Sequence, residues 1–143
     1  MIKNARKIIN TKVFEDRTGK YLGKVSDVAF SGDSLKGYYV SSDSIVPLLG
    51  LVLPSSVTAY KKGKIFVREV SHSSSDFITF KKNISHQSFF SGERKIGKGR
   101  DMLFDFETGE IEGFLYSENI FRRPSYLDIN KIKINGKNIT VRN

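Results

Sequence analysis

Leu22-Gly23-Lys24-Val25-Ser26-Asp27-Val28-Ala29-Phe30 is answered later in the chain by Ile96-Gly97-Lys98-Gly99-Arg100-Asp101-Met102-Leu103-Phe104. Gly, Lys, Asp and Phe coincide in one register. The continuation corresponds as well: Leu35-Lys36-Gly37-Tyr38-Tyr39-Val40-Ser41 matches Ile111-Glu112-Gly113-Phe114-Leu115-Tyr116-Ser117. Each copy then closes on a pair of short apolar segments, within 57–67 and 132–141. An internal repeat of this size means two copies of one small unit, neither of which buries its apolar face well alone. We therefore divide the chain into a first repeat over 1–72 and a second over 73–143, with the serine-rich stretch 71–76 as the connection.

The repeated segments read as strands. Residues 24–30 alternate, with Val28 and Phe30 on one face. Tyr38-Tyr39-Val40 and Phe114-Leu115-Tyr116 are aromatic and branched runs that follow a glycine. Lys62-Gly63 and Asn135-Gly136 mark tight hairpins, because such residues tolerate positive φ. Asp105-Phe106-Glu107-Thr108-Gly109-Glu110 is a longer turn with Gly109 as its left-handed residue, and Ser31-Gly32-Asp33-Ser34 is its shorter counterpart. Helical signal is weak. Short turns at 54–57 and 128–131, capped by Ser or Asp, are expected ahead of each closing hairpin. Many short strands with regular turn signals predict an all-β chain of small barrel or sandwich units.

These motifs resemble the PRC-barrel domain family, whose fold is shared with the H subunit of the photosynthetic reaction centre and the C-terminal domain of the ribosome maturation factor. The resemblance lies in Leu22/Ile96-Gly-Lys, then Asp27/Asp101-x-x-Phe, an acidic turn, an apolar-charged-Gly-aromatic strand and a closing hairpin. Residues 97–141 match best; residues 13–67 match with two residues fewer at the turn. The resemblance implies two tandem small PRC-like β-barrels, packed as one pseudo-symmetric unit, and a role in protein assembly rather than catalysis.

Composition bounds the rest. The 143 residues carry a net charge of +9, with basic residues spread over both halves; they include 11 Phe and 6 Tyr but no Trp. Such a field attracts nucleic acid, anionic lipid or an acidic protein face; an ordinary basic soluble protein is the other reading. With no cysteine, disulfides and thiolate metal sites are excluded. No run is long enough to span a bilayer as a helix, and no apolar signal core follows the basic start, so the expected location is the cytoplasm.

The residues that carry chemistry are few. Asp27 and Asp101 occupy equivalent places. They are either a catalytic pair converging on one substrate or acceptors for neighbouring turns, and the second fits a motif made of turns and core. His72 and His86 with Asp76 fall short of a four-ligand zinc site. Residues 92–99 carry glycines but no Gly-Lys-Ser/Thr ending, so no phosphate loop is expected. The chain is accordingly expected to be no enzyme and to hold no cofactor or metal.

Two surfaces stand out. The run 45–54 (Ile-Val-Pro-Leu-Leu-Gly-Leu-Val-Leu-Pro) is apolar where the second copy has Ile120-Phe121-Arg122-Arg123-Pro124. It is either exposed to a protein partner or a second copy in a homodimer, or folded across the seam as core. The candidate partner contacts are Leu48, Leu49, Leu51, Arg122 and Arg123. The second surface is basic: Lys61, Lys62, Lys64, Lys131, Lys133 and Lys137 fall on equivalent closing hairpins. With Tyr60 and Tyr126 as stacking groups they would bind RNA or the ribosome. The principal expectation is a non-enzymatic interaction or adaptor module with a protein partner; an RNA- or ribosome-associated factor is the alternative.

Overall fold

The computed structural model describes residues 1–43, 49–71, 77–135 and 138–142, without the side chains of Leu49 and Asn135. Strands dominate, as the alternation predicts. The first half contains β1 (Ile2–Asn4), α1 (Ala5–Ile8), β2 (Lys12–Glu15), β3 (Tyr21–Ser31), β4 (Ser34–Ser41), β5 (Leu49–Val52), β6 (Val57–Lys61) and β7 (Lys64–Val67). The second contains β8 (Ile78–Thr79), α2 (Phe80–Asn83), β9 (Ser88–Ser91), β10 (Arg94–Asp105), β11 (Ile111–Ser117), β12 (Ser125–Asp128), β13 (Ile132–Asn135) and β14 (Asn138–Val141). Single 3-10 turns, Pro54–Ser56 and Ile129–Lys131, precede the closing hairpins at the places the sequence marks. Asp128 caps the second by accepting the Asn130 N–H.

The strands form two seven-stranded sheets with the same plan. One runs β5-β4-β3-β2-β7-β6 and the other β12-β11-β10-β9-β14-β13, each as an open path among the described residues. In each, the closing hairpin returns parallel to the first strand, β7 on β2 and β14 on β9. Even the irregularities repeat. The long strands break register at matching places, with Leu22 and Ile96, then Ser26 and Arg100, as the extra residues. Such bulges bend a strand and re-aim its side chains.

The sequence division at 72/73 is not a division in space. β1 pairs with β10 of the second half, and β8 pairs with β3 of the first. Each half thus begins with a strand and a helical turn lent to the other. The two short helices, absent from the sequence reading, lie in these exchanged arms. Four residues cannot show helical periodicity, and an isolated turn this short is unstable without tertiary support. At the seam the β3–β4 and β10–β11 turns pair, through Leu35 N–H to Gly109 C=O and Ile111 N–H to Asp33 C=O. Gly109 sits at φ +77, as its place in the turn requires.

The core is continuous across both halves. Phe30 meets Phe114 with centroids 6.2 Å apart, and Tyr38 meets Phe104 at 6.3 Å. In the repeat these are one contact made twice, since Phe30 corresponds to Phe104 and Tyr38 to Phe114. Ala5, Ile8, Phe80 and Ile84 carry the exchanged arms into the same core. Two marginal units reach stability by sharing one interior, because small units bury too little surface alone.

Candidate interaction surface

Asp27 and Asp101 act at the exchange, each between its own strand and the other half's arm. Asp101 Oδ1 accepts the N–H of Met102 and of Arg6, and Oδ2 accepts from Asn4 Nδ2. Asp27 Oδ1 accepts the N–H of Val28 and of Lys81. The bulges at Ser26 and Arg100 sit beside these carboxylates. Each Asp thus accepts a local N–H from the next residue, and the bonds that reach beyond its own strand come from across the seam rather than from a neighbouring turn. His86 adopts φ +62 in the turn after α2, and His72 lies outside the described residues. Among the described residues no group of three His, Cys, Asp or Glu side chains is assembled for a metal, and no helix is long and apolar enough to cross a membrane.

The proposed partner contacts separate. Leu51 is buried in β5, opposite Tyr39, and packs against Gly37, so its side chain joins the core. This takes the folded-in alternative for that residue and corrects its assignment as an exposed contact. Leu49 enters β5 through its backbone, and Leu48 lies outside the described residues. Arg122 and Arg123 are exposed, in the β11–β12 connection.

That connection, residues 118–124, is the most unusual surface of the chain. Ile120 is 73% exposed and Phe121 92%. An Asx turn fixes the loop, with Asn119 Oδ1 accepting the Phe121 N–H at 2.9 Å. On one side lies an open cleft of about 390 Å³, lined by Arg94, Tyr116, Arg122, Arg123 and Ser125 among others. On the other lies one of about 270 Å³, lined by Arg6, Arg100, Ile120 and Arg122 among others. Arg100 Nε donates to the buried Ser117 Oγ at 2.6 Å, which anchors the second cleft's floor. The acidic groups here are Glu118, 3.8 Å from Arg122 and exposed like it, and Asp101, whose oxygens are already engaged. An exposed pair of this kind contributes little, so the arginines retain their field. Arg122 and Arg123 adjoin in sequence; Arg6, Arg94 and Arg100 join them only through the β1–β10 and β10–β11 pairings.

β12 follows directly. Its Tyr126 is half exposed, lies against Gly113 and donates its hydroxyl to the Glu112 carbonyl at 2.8 Å. Partial burial, with Asp128 and Glu112 nearby, raises its phenol above the ordinary value.

The hairpin lysines are exposed but divided. Lys61, Lys62 and Lys64 belong to the first sheet's closing hairpin, and Lys131 and Lys133 to the 3-10 turn and β13 of the second. Lys137 lies outside the described residues. Tyr60 packs edge-on against Phe106 at 5.3 Å and beneath Lys3, so its ring is engaged.

Compared with known protein-family models and with curated protein sequences, the chain matches none.

Proposed function

We propose that this chain is a non-enzymatic interaction module of tandem PRC-barrel type, which holds a protein partner through the 118–124 loop. One observation carries the reading: Phe121 projects 92% exposed, with Ile120, from a turn flanked by Arg122, Arg123 and Arg94. Aromatic and arginine side chains are the residue types that dominate binding energy at protein interfaces. The matched sheet plans and repeated bulges support the family resemblance. The core and seam give the loop a rigid platform, while its sequence is free to differ from the equivalent connection in the first half.

The test is affinity capture with the intact chain and with a Phe121→Ser/Arg122→Glu/Arg123→Glu variant of unchanged circular dichroism and thermal midpoint. The expected result is a protein retained by the parent after nuclease treatment and lost by the variant. Equal retention by both would remove the loop from function. A second reading, RNA binding through Lys61, Lys62, Lys64, Lys131 and Lys133, rests on their exposure. It requires an affinity that falls steeply with salt as phosphate counterions are released.

A further inference from the structure

The two sheets differ at one edge. In the first, the outer side of β5 is covered. Leu51 donates its N–H to the Ser71 carbonyl and accepts the Ser71 N–H, both at 2.8 Å, as an antiparallel bridge. Val70 rides over Gly50, where an added Cβ would lie 2.2 Å from Val70 Cγ1. In the second sheet the register is the same: Tyr126 stands opposite Leu115 as Leu51 stands opposite Tyr39. The Tyr126 N–H and C=O therefore turn outward as those of Leu51 do. Among the described residues no backbone group pairs with them. Ser125, in the place of Gly50, is exposed.

The geometry points to β12 as a strand-addition site for an extended acidic segment of a partner protein, seated antiparallel along Ser125–Asp128. This inference rests on the interaction-module reading and specifies how the partner is held. The covered edge of the first sheet shows the backbone arrangement that the site accepts. Backbone groups at a free edge supply register and hydrogen bonds, and alternate side chains supply specificity. Charge selects the occupant at the Ser125 end of the strand, the end away from Asp128. Arg94, Arg122 and Arg123 line the cleft that also includes Ser125, and carboxylates on the added strand would meet guanidinium groups there. The same charge opposes pairing of β12 with β12 of a second copy, which would bring two such arginine groups together.

The probe is a short synthetic peptide alternating valine and glutamate, with a valine–lysine peptide as control. The measurement is amide hydrogen exchange at Tyr126 together with affinity, on the intact chain. The expected result is slowed exchange at Tyr126 with the glutamate peptide alone. Tyr126→Pro removes the outward N–H, leaves the β11 ladder intact and should weaken binding about tenfold, the equivalent of one hydrogen bond. Tyr126→Ala keeps that N–H and should bind within about threefold of the parent. Binding with no protection at Tyr126, or equal binding by Tyr126→Pro, would overturn strand addition while leaving the loop reading in place. No binding of the glutamate peptide, or self-association blocked by Tyr126→Pro, would overturn it as well.

Discussion

Asp101 and Arg6 stand 95 residues apart in the chain, yet the carboxylate of one accepts the backbone N–H of the other at 3.1 Å. The repeat makes the same bond again, from Lys81 to Asp27 at 3.0 Å. These two contacts tie each exchanged arm to the other half. The Asp-x-x-Phe motif is thus the signature of a latch, with the Asp on the long strand holding the other half's arm and the Phe in the shared core.

Asp101→Ala should cost about 2–3 kcal/mol, because it strands three donors at a nearly closed site. Asp27→Ala, at a more open site, should cost about 1 kcal/mol. Urea unfolding checks both. Each variant should unfold in a single transition, since neither sheet is complete without the other half's strand. Two separated transitions would contradict the latch.

Tyr38→Phe should raise stability by about 1 kcal/mol. The ring is buried between Phe104 and Phe106, and its hydroxyl finds no partner among the described residues. Burial alone pushes its ionisation far above the ordinary phenol value. An unsatisfied buried hydroxyl carries an uncompensated desolvation cost. Phe114, its counterpart, already fills the equivalent site without one. Thermal unfolding of the variant gives the sign.

Gly99→Ala should destabilise by about 3 kcal/mol or prevent folding. Its Cβ would stand 2.0 Å from the Ile84 carbonyl oxygen, which is fixed backbone, and 3.0 Å from the buried Phe89 ring, so little can give way. Gly19→Ala is the comparison: open space surrounds it, and its φ of +71 costs about 1 kcal/mol. Chemical denaturation of the pair separates close packing from backbone strain.

The acid limb of the stability curve should respond to Asp105. Its carboxylate accepts the N–H of Thr108 and of Glu107, which holds its pKa below the ordinary 3.8. A depressed folded value means the contribution is present above pH 3.8 and is lost as pH falls through the lower folded value. Asp105→Asn should therefore flatten the decline of stability below pH 4. A midpoint-versus-pH series on both proteins measures it.

Much of this protein was written in the repeat. The Gly-Lys-x-x-Asp-x-x-Phe register located the long central strands, Gly109 marked the turn after one of them, Gly63 marked a closing hairpin, and Asp128 marked a capped turn. Such features depend on backbone conformation and alternation, which are local and leave a periodic trace. Tertiary structure alone decided which half each first strand joins, because β1 and β8 are too short to show a period and pair with residues far along the chain. It also decided that Leu51 is buried in β5 while Phe121 is exposed in the β11–β12 connection, although both belong to apolar stretches ahead of a closing hairpin. Burial depends on what lies opposite: Leu51 has Tyr39, Gly37 and Ser71 around it, and Phe121 has solvent. The arginine surface follows the same rule. Arg6, Arg94 and Arg122 come from separate segments, and only the pairing of their strands makes them one field.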